Sequence, residues 1–196
     1  MRRMMPVGPL MIEHRLIERM IGAMGREIDR VESGGKPDSG FVDEVVDFIR
    51  SYADGCHHGK EEDILFRELG RKNLSEEHEQ IMKELVADHA AGRTLTGRMV
   101  EANERYRKGD SSAFSVVLDC MKRLRDFYPA HIEKEDRHFF QPVMGYFTEE
   151  ERDEMLEEGF AFDRRLIHRR YEETVKRAEA RGDSFEQGAD QKSRPT

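Results

Sequence analysis

A ten-residue segment that occurs twice decides the fold: HHGKEEDILF at residues 57–66 and HIEKEDRHFF at residues 131–140. Both copies have His, Lys, Glu, a second acid and Phe at identical offsets. Residues four apart lie on the same face of a helix, so each copy presents an imidazole and a carboxylate to one point. The duplication predicts two helices that face each other across a polar centre.

The apolar residues around the two copies predict four long helices. They recur at steps of three and four, the period of a helix with one buried face. The predicted helices cover approximately residues 10–31, 41–69, 76–107 and 117–138. Pro129 predicts either a kink or a new helix start in the fourth, because proline disrupts a helix interior.

The fold class is therefore predicted to be all-α, since no stretch alternates apolar and polar residues as a strand would. Short turns favour an up-and-down antiparallel four-helix bundle in residues 1–147. A capping box at Thr148 opens an additional C-terminal helix, residues 148–180, which we expect to pack on the same domain. Residues 181–196 have almost nothing to bury and are expected to form a disordered tail.

The composition disfavours several partners. The chain has 196 residues and a formal net charge of −8, without a Lys/Arg cluster, which argues against binding nucleic acid or an anionic membrane. No segment approaches the roughly 20 apolar residues of a membrane span. Cys56 and Cys120 lie in apolar helical patterns, as reduced buried thiols do. We expect a soluble, cytoplasmic protein.

The predicted apolar stripes contain six polar residues: His14, His57, Glu61, His89, His131 and Glu135. Burying such groups without partners costs roughly 2–7 kcal/mol each, and more for a charge. A pair of divalent cations would neutralise the carboxylates and bind the imidazoles. A single histidine on an apolar face is more often a hydrogen-bonded core residue, but the matching pairs favour metal ligands.

This set of residues resembles the hemerythrin-like (HHE cation-binding) family. The family pattern is one His on the first helix, His-x-x-x-Glu on the second, His on the third and His-x-x-x-Glu on the fourth, and the likeness covers about residues 10–140. The resemblance implies a di-iron centre, with zinc or manganese as alternatives. It assigns His14 and His57 to one iron and His89 and His131 to the other, with Glu61 and Glu135 as bridges.

The third helix departs from hemerythrin, which supplies two histidines one turn apart there. In this chain, Leu85 and Arg93 occupy the positions one turn before and after His89. The predicted centre is therefore one histidine short. The candidates for the missing ligand are His58, Tyr128, Glu62 and water.

The remaining polar residues near the motifs are given lesser roles. Asp136 is an alternative bridge, but Glu135 lies one turn from His131, whereas Asp136 is rotated further from the stripe. Four histidines and lysines are expected to be solvated: Lys60, Lys134, His78 and His168. His138 is expected to orient a ligand.

The leading functional hypothesis is binding of dioxygen, another small diatomic molecule or peroxide, for sensing, storage or redox and iron homeostasis. Only two carboxylates among the ligands should favour reversible binding over hard oxidation. One alternative is a ferritin-like di-metal oxidase or peroxidase, although the Glu-x-x-His of that fold occurs once, at Glu135–His138. Another is a helical interaction module with a structural metal or none. The sequence leaves open whether the protein is an enzyme.

Overall fold

The computed structural model describes residues 4–164, 168 and 170–180, and no strand occurs among them. Four long helices form an antiparallel bundle, because short loops reverse the chain between consecutive helices. They are α1 (Val7–Glu32), α2 (residues 39–69), α3 (Glu76–Arg107) and α4 (residues 113–143). Each packs against the next, and α4 closes the bundle against α1. The predicted fold class is confirmed.

Helix α2 changes type along its length. Its consecutive segments are α-helical at Ser39–Phe48, π-helical at Ile49–His58 and Glu61–Phe66, and α-helical again at Arg67–Leu69. A π-helix bonds residues five apart instead of four, so each turn holds more residues and side chains shift around the axis. His57 and His58, the last two residues of the first π segment, are both buried.

Helix α4 runs through Pro129 without a break, from Ala113 to Lys134. The alternative of a new helix starting at the proline is therefore wrong. The helix continues as a π segment at Glu135–Phe139. Glu61 and Glu135, the corresponding glutamates of the two repeat copies, are each the first residue of a π segment.

Side-chain caps fix where the helices begin. Asp38 and Ser75 accept hydrogen bonds from backbone N–H groups at the starts of α2 and α3. Thr148 and Glu151 form the predicted capping box at the start of α5 (Glu149–Asp163).

The sequence predicts one additional helix over residues 148–180, but the structure does not form it as a single continuous helix. Helix α5 ends at Asp163, Arg164 forms a turn, and residues 170–180 are helical again (α6). Met155 of α5 is buried against one end of the bundle, and Tyr171 and Val175 of α6 are buried against the other. The tail predicted for residues 181–196 lies outside the described residues.

Two apolar clusters leave a polar layer between them. On every bundle helix the layer separates a residue of one cluster from a residue of the other: Leu10 from Ile17, Ile64 from Ala53, Leu85 from Leu95, and Phe139 from Ile132. None of the described helices is long and apolar enough to cross a membrane.

Candidate metal centre

The six predicted residues lie together in this polar layer, each no more than 2% exposed. Their ligand atoms and those of His58 form two groups. The first group is His14, His57, Glu61 and Glu135, and the second group is His58, Glu61, His89 and His131. Within each group, one ligand atom from every residue lies within 4.8 Å of the others. Glu61 belongs to both groups.

The two central carboxylates each face both groups. Glu61 Oε1 lies 3.4 Å from His57 Nε2, and its Oε2 lies 3.3 Å from His89 Nε2. Glu135 Oε2 lies 3.1 Å from His14 Nε2, and its Oε1 lies 3.3 Å from His131 Nε2. This arrangement allows a carboxylate to bridge two cations.

Of the candidates for the missing ligand, the structure brings His58 into the second group. Its ring stacks on that of His89, with ring centroids 3.9 Å apart. The other two candidate side chains lie elsewhere. Glu62 accepts a hydrogen bond from His89 Nδ1 at 2.7 Å, on the side away from the centre, and Tyr128 lines a neighbouring cavity.

Carboxylates surround the histidines in a ring around the bundle. Each helix supplies an acid to the Nδ1 atom of a histidine on the next: Glu13 to His57 (2.9 Å), Glu62 to His89 (2.7 Å), Asp88 to His131 (3.4 Å) and Asp136 to His14 (2.8 Å). Asp54 lies 3.4 Å from His58 Nδ1 within α2. These five acids are called the outer carboxylates below. A proton held on Nδ1 leaves Nε2 free to bind a cation at the centre.

Asp136, the alternative bridge, is therefore an outer carboxylate and does not lie between the groups. Sequence reasoning missed Glu13, Asp54 and Asp88. The sequence does contain a signal for Glu13 and Asp88, because each acid of the ring is adjacent in sequence to one of the six predicted residues. The adjacent pairs are Glu13 and His14, Glu62 and Glu61, Asp88 and His89, and Asp136 and Glu135. Their partners lie on other helices, so spacing within one helix does not reveal the pairs.

Cations compensate the outer carboxylates. Arg15 pairs with Asp136, Lys60 with Glu13, Arg93 with Asp54 and Glu62, and Lys134 with Asp88. Lys60 corrects an expectation, because it is 4% exposed and not solvated. The sequence predicts that His138 orients a ligand, but it is exposed and lies away from the centre.

The centre contains buried polar atoms that lack hydrogen-bond partners. They are both carboxylate oxygens of Glu61 and of Glu135, and the Nε2 atoms of His58, His89 and His131. Leaving such an atom unpaired costs about 1–3 kcal/mol, and more when it is charged. Five imidazoles and two carboxylates are donors that suit iron, zinc or manganese. The residues therefore fit a pair of metal ions.

The pKa shifts reflect the close contacts between imidazoles and carboxylates in the buried centre. Burial lowers the pKa of His58 to about 3. Burial also lowers the pKa of His14, but its bonds to Asp136 and Glu135 outweigh this and raise it to about 10. The pKa of Glu61 is well below its ordinary value, because nearby histidines outweigh the effect of burial. The protonated form of His14 and the ionised form of Glu61 are thus both favoured in the buried centre.

A third group, Cys56, Asp163 and His168, adjoins this centre. Asp163 Oδ1 accepts hydrogen bonds from Lys60 Nζ at 2.6 Å and from Cys56 Sγ at 3.4 Å, and it lies 2.9 Å from His168 Nε2. Lys60 already supplies a positive charge there, so this group does not need a metal. His168 Nδ1 also lies 3.0 Å from the Tyr52 hydroxyl, so His168 is partnered and only partly solvated.

Comparison with known proteins adds independent evidence. A family model described as the hemerythrin HHE cation binding domain matches residues 5–143. That range covers all four bundle helices and every residue of the first and second groups. Neither the curated proteins nor the solved structures gave a significant match.

Proposed function

The chain belongs to the hemerythrin HHE cation-binding family, and we propose on this basis that it holds two iron ions and binds dioxygen or a related small molecule. One observation carries the proposal: Glu61 is shared by two buried groups of metal-ligating side chains. Glu135 likewise places one oxygen toward each group. Two ions bridged by carboxylates would satisfy the central atoms that lack partners.

The ligands would be divided unequally between the two ions. His14 and His57 would hold one ion, and His58, His89 and His131 would hold the other, with Glu61 and Glu135 shared. When bound, the iron pair would supply reversible binding or reduction of dioxygen, nitric oxide or peroxide. The outer carboxylates would hold the histidine tautomers, and the two apolar clusters would exclude bulk water from the centre.

The set of ligand atoms favours reversible binding of a small molecule over oxidase chemistry. Five neutral imidazoles and two carboxylates bring less negative charge to the metals than a four-carboxylate centre would. A ferritin-like oxidase is less well supported, because His138 of the single Glu-x-x-His is exposed. Sensing, storage and redox or iron homeostasis all suit such a centre. We place the protein in the cytoplasm, where the two free, buried cysteines would stay reduced.

Elemental analysis together with absorption spectra tests the proposal. Protein reduced without air and then exposed to it should contain about two irons per chain, one for each ligand group. It should also develop an oxygen-dependent band in the near ultraviolet. Protein without metal, or with zinc and a flat spectrum, would overturn the iron and oxygen assignment.

A further inference from the structure

A cavity of about 340 Å³ opens beside the second group, between α2, α3 and α4. Its size falls within the roughly 300–1,000 Å³ typical of small-molecule sites. It is far larger than the roughly 30 Å³ that one water molecule occupies. The cavity therefore has room for a ligand larger than a diatomic gas.

The inner wall of the cavity reaches the candidate centre. His58 and His89 both line it, and both belong to the second group. His58 is 3% exposed; its Nδ1 lies 3.4 Å from Asp54, and its Nε2 has no hydrogen-bond partner. The Nε2 atom of His89 is unpaired as well. A ligand in the cavity would thus approach the ion of the second group.

The charged residues in the wall of the cavity are Asp54 and two arginines, and the two arginines differ in their partners. Arg93 is paired with Asp54 and Glu62, at 2.7 Å and 2.8 Å. Arg50 is exposed and has no ion-pair partner in the part of the chain that the structure describes. Arg50 is therefore a cation available to a ligand.

The charge of the metal-loaded centre also favours a negatively charged ligand. Two divalent ions held by two carboxylates and neutral imidazoles would have a surplus of two positive charges. Among the described residues, the five outer carboxylates are paired with only four lysine and arginine side chains, because Arg93 pairs with both Asp54 and Glu62. They therefore offset part of this surplus and leave a net positive charge. A buried surplus of charge is costly unless it is paired, so an anionic ligand would be stabilised there.

We propose that this cavity binds a small carboxylate, with its negative charge between Arg50 and the ion of the second group. Ile49 and Tyr128 form part of the wall and would contact a short carbon chain. The inference rests on the proposed function, since it requires an ion at the second group.

Calorimetric titration of metal-loaded protein with propionate tests the inference. The wild-type protein should bind propionate saturably, and propionamide, its neutral counterpart, at least about tenfold more weakly. Arg50→Gln should weaken propionate binding about tenfold, because hydrogen bonds to charged groups contribute at this level. Arg50→Lys should recover part of the loss, because it restores the charge.

Arg170→Gln is the matched control, because Arg170 is also exposed but pairs with Asp47, away from the cavity lining. It should leave propionate binding unchanged. Metal content is measured on every sample, so that failure of the centre is separated from failure of the anion site. Two ions per chain with equal propionate affinity in wild type and Arg50→Gln would overturn the anion site alone. Protein that takes up no metal would overturn the proposed function, and the anion site with it.

Discussion

The two copies of the repeat, residues 57–66 and 131–140, occupy equivalent positions on opposite sides of the centre. In each copy, the first histidine and the glutamate four residues later face the centre, and the next acid contacts the Nδ1 atom of a histidine on another helix. The final phenylalanines also correspond. Phe66 stacks on His89 at 6.1 Å between centroids, and Phe140 stacks on His14 at 5.6 Å.

The copies differ at their second residue, which is His58 in one and Ile132 in the other. His58 joins the second group, whereas Ile132 packs into an apolar cluster. Four residues earlier, Asp54 faces His58, and Tyr128 occupies the equivalent place in the second copy. The nearly two-fold arrangement of the two copies is therefore broken by a single side chain, that of His58. The two-fold symmetry places the glutamates between the two groups, and its local violation at residue 58 makes the two groups differ.

The largest effect is expected from removing the first histidine of either copy. His57→Ala and His131→Ala should each lower metal affinity more than about 1,000-fold, above the 10–100-fold typical of outer partners. The corresponding loss of metal-dependent stability is about 4 kcal/mol at saturating metal. Elemental analysis and thermal unfolding with and without chelator measure both quantities.

His138→Ala is the control for this pair of variants, because His138 lies in the second copy but is exposed. It should leave metal content and melting temperature unchanged. Wild-type metal content in both His57→Ala and His131→Ala would exclude the proposed centre.

The lysines at the fourth position of each copy should differ strongly in their contribution to stability. Lys60 is 4% exposed and pairs with Glu13 and Asp163, so Lys60→Met leaves buried carboxylates uncompensated. It should lower the free energy of unfolding by about 3 kcal/mol. Lys134 is 29% exposed, and Lys134→Met should cost less than about 1 kcal/mol. Urea unfolding of metal-free protein compares them, and equal losses would contradict the burial of Lys60.

Replacing His58 by isoleucine makes the first copy like the second. His58→Ile should weaken the binding of one of the two ions by at least the roughly 10–100-fold typical of losing an outer partner, because His58 is itself a proposed ligand, and leave the other ion tightly bound. Metal titration should then show two separated steps. The reciprocal Ile132→His should not raise metal content, because no acid replaces Tyr128 to face the new imidazole. Unchanged binding of both ions in His58→Ile would remove His58 from the proposed ligands.

These pairs also show what the sequence can and cannot predict. His57, Glu61, His131 and Glu135 could be placed because their spacing matches one helix face. The position of His58 could not, since adjacent residues on an α-helix point about 100° apart, and the spacing that places His57 on the buried face gives no sign of the π segment that holds both residues. Burial of Lys60 was missed for another reason. It depends on Asp163, which lies far away in the chain and meets Lys60 only through packing.

The smallest effect is expected where the copies agree, at the stacked phenylalanines. Phe66→Leu and Phe140→Leu keep most of the buried apolar area but remove an aromatic contact worth about 0.5–1.5 kcal/mol. Both variants should therefore lose about 1 kcal/mol of unfolding free energy and retain wild-type metal content. Because each ring stacks on a histidine of a different group, matched losses in urea unfolding would support equivalent roles. A loss of metal in one variant alone would show that the two-fold relation ends at the histidines and does not extend to the packing behind them.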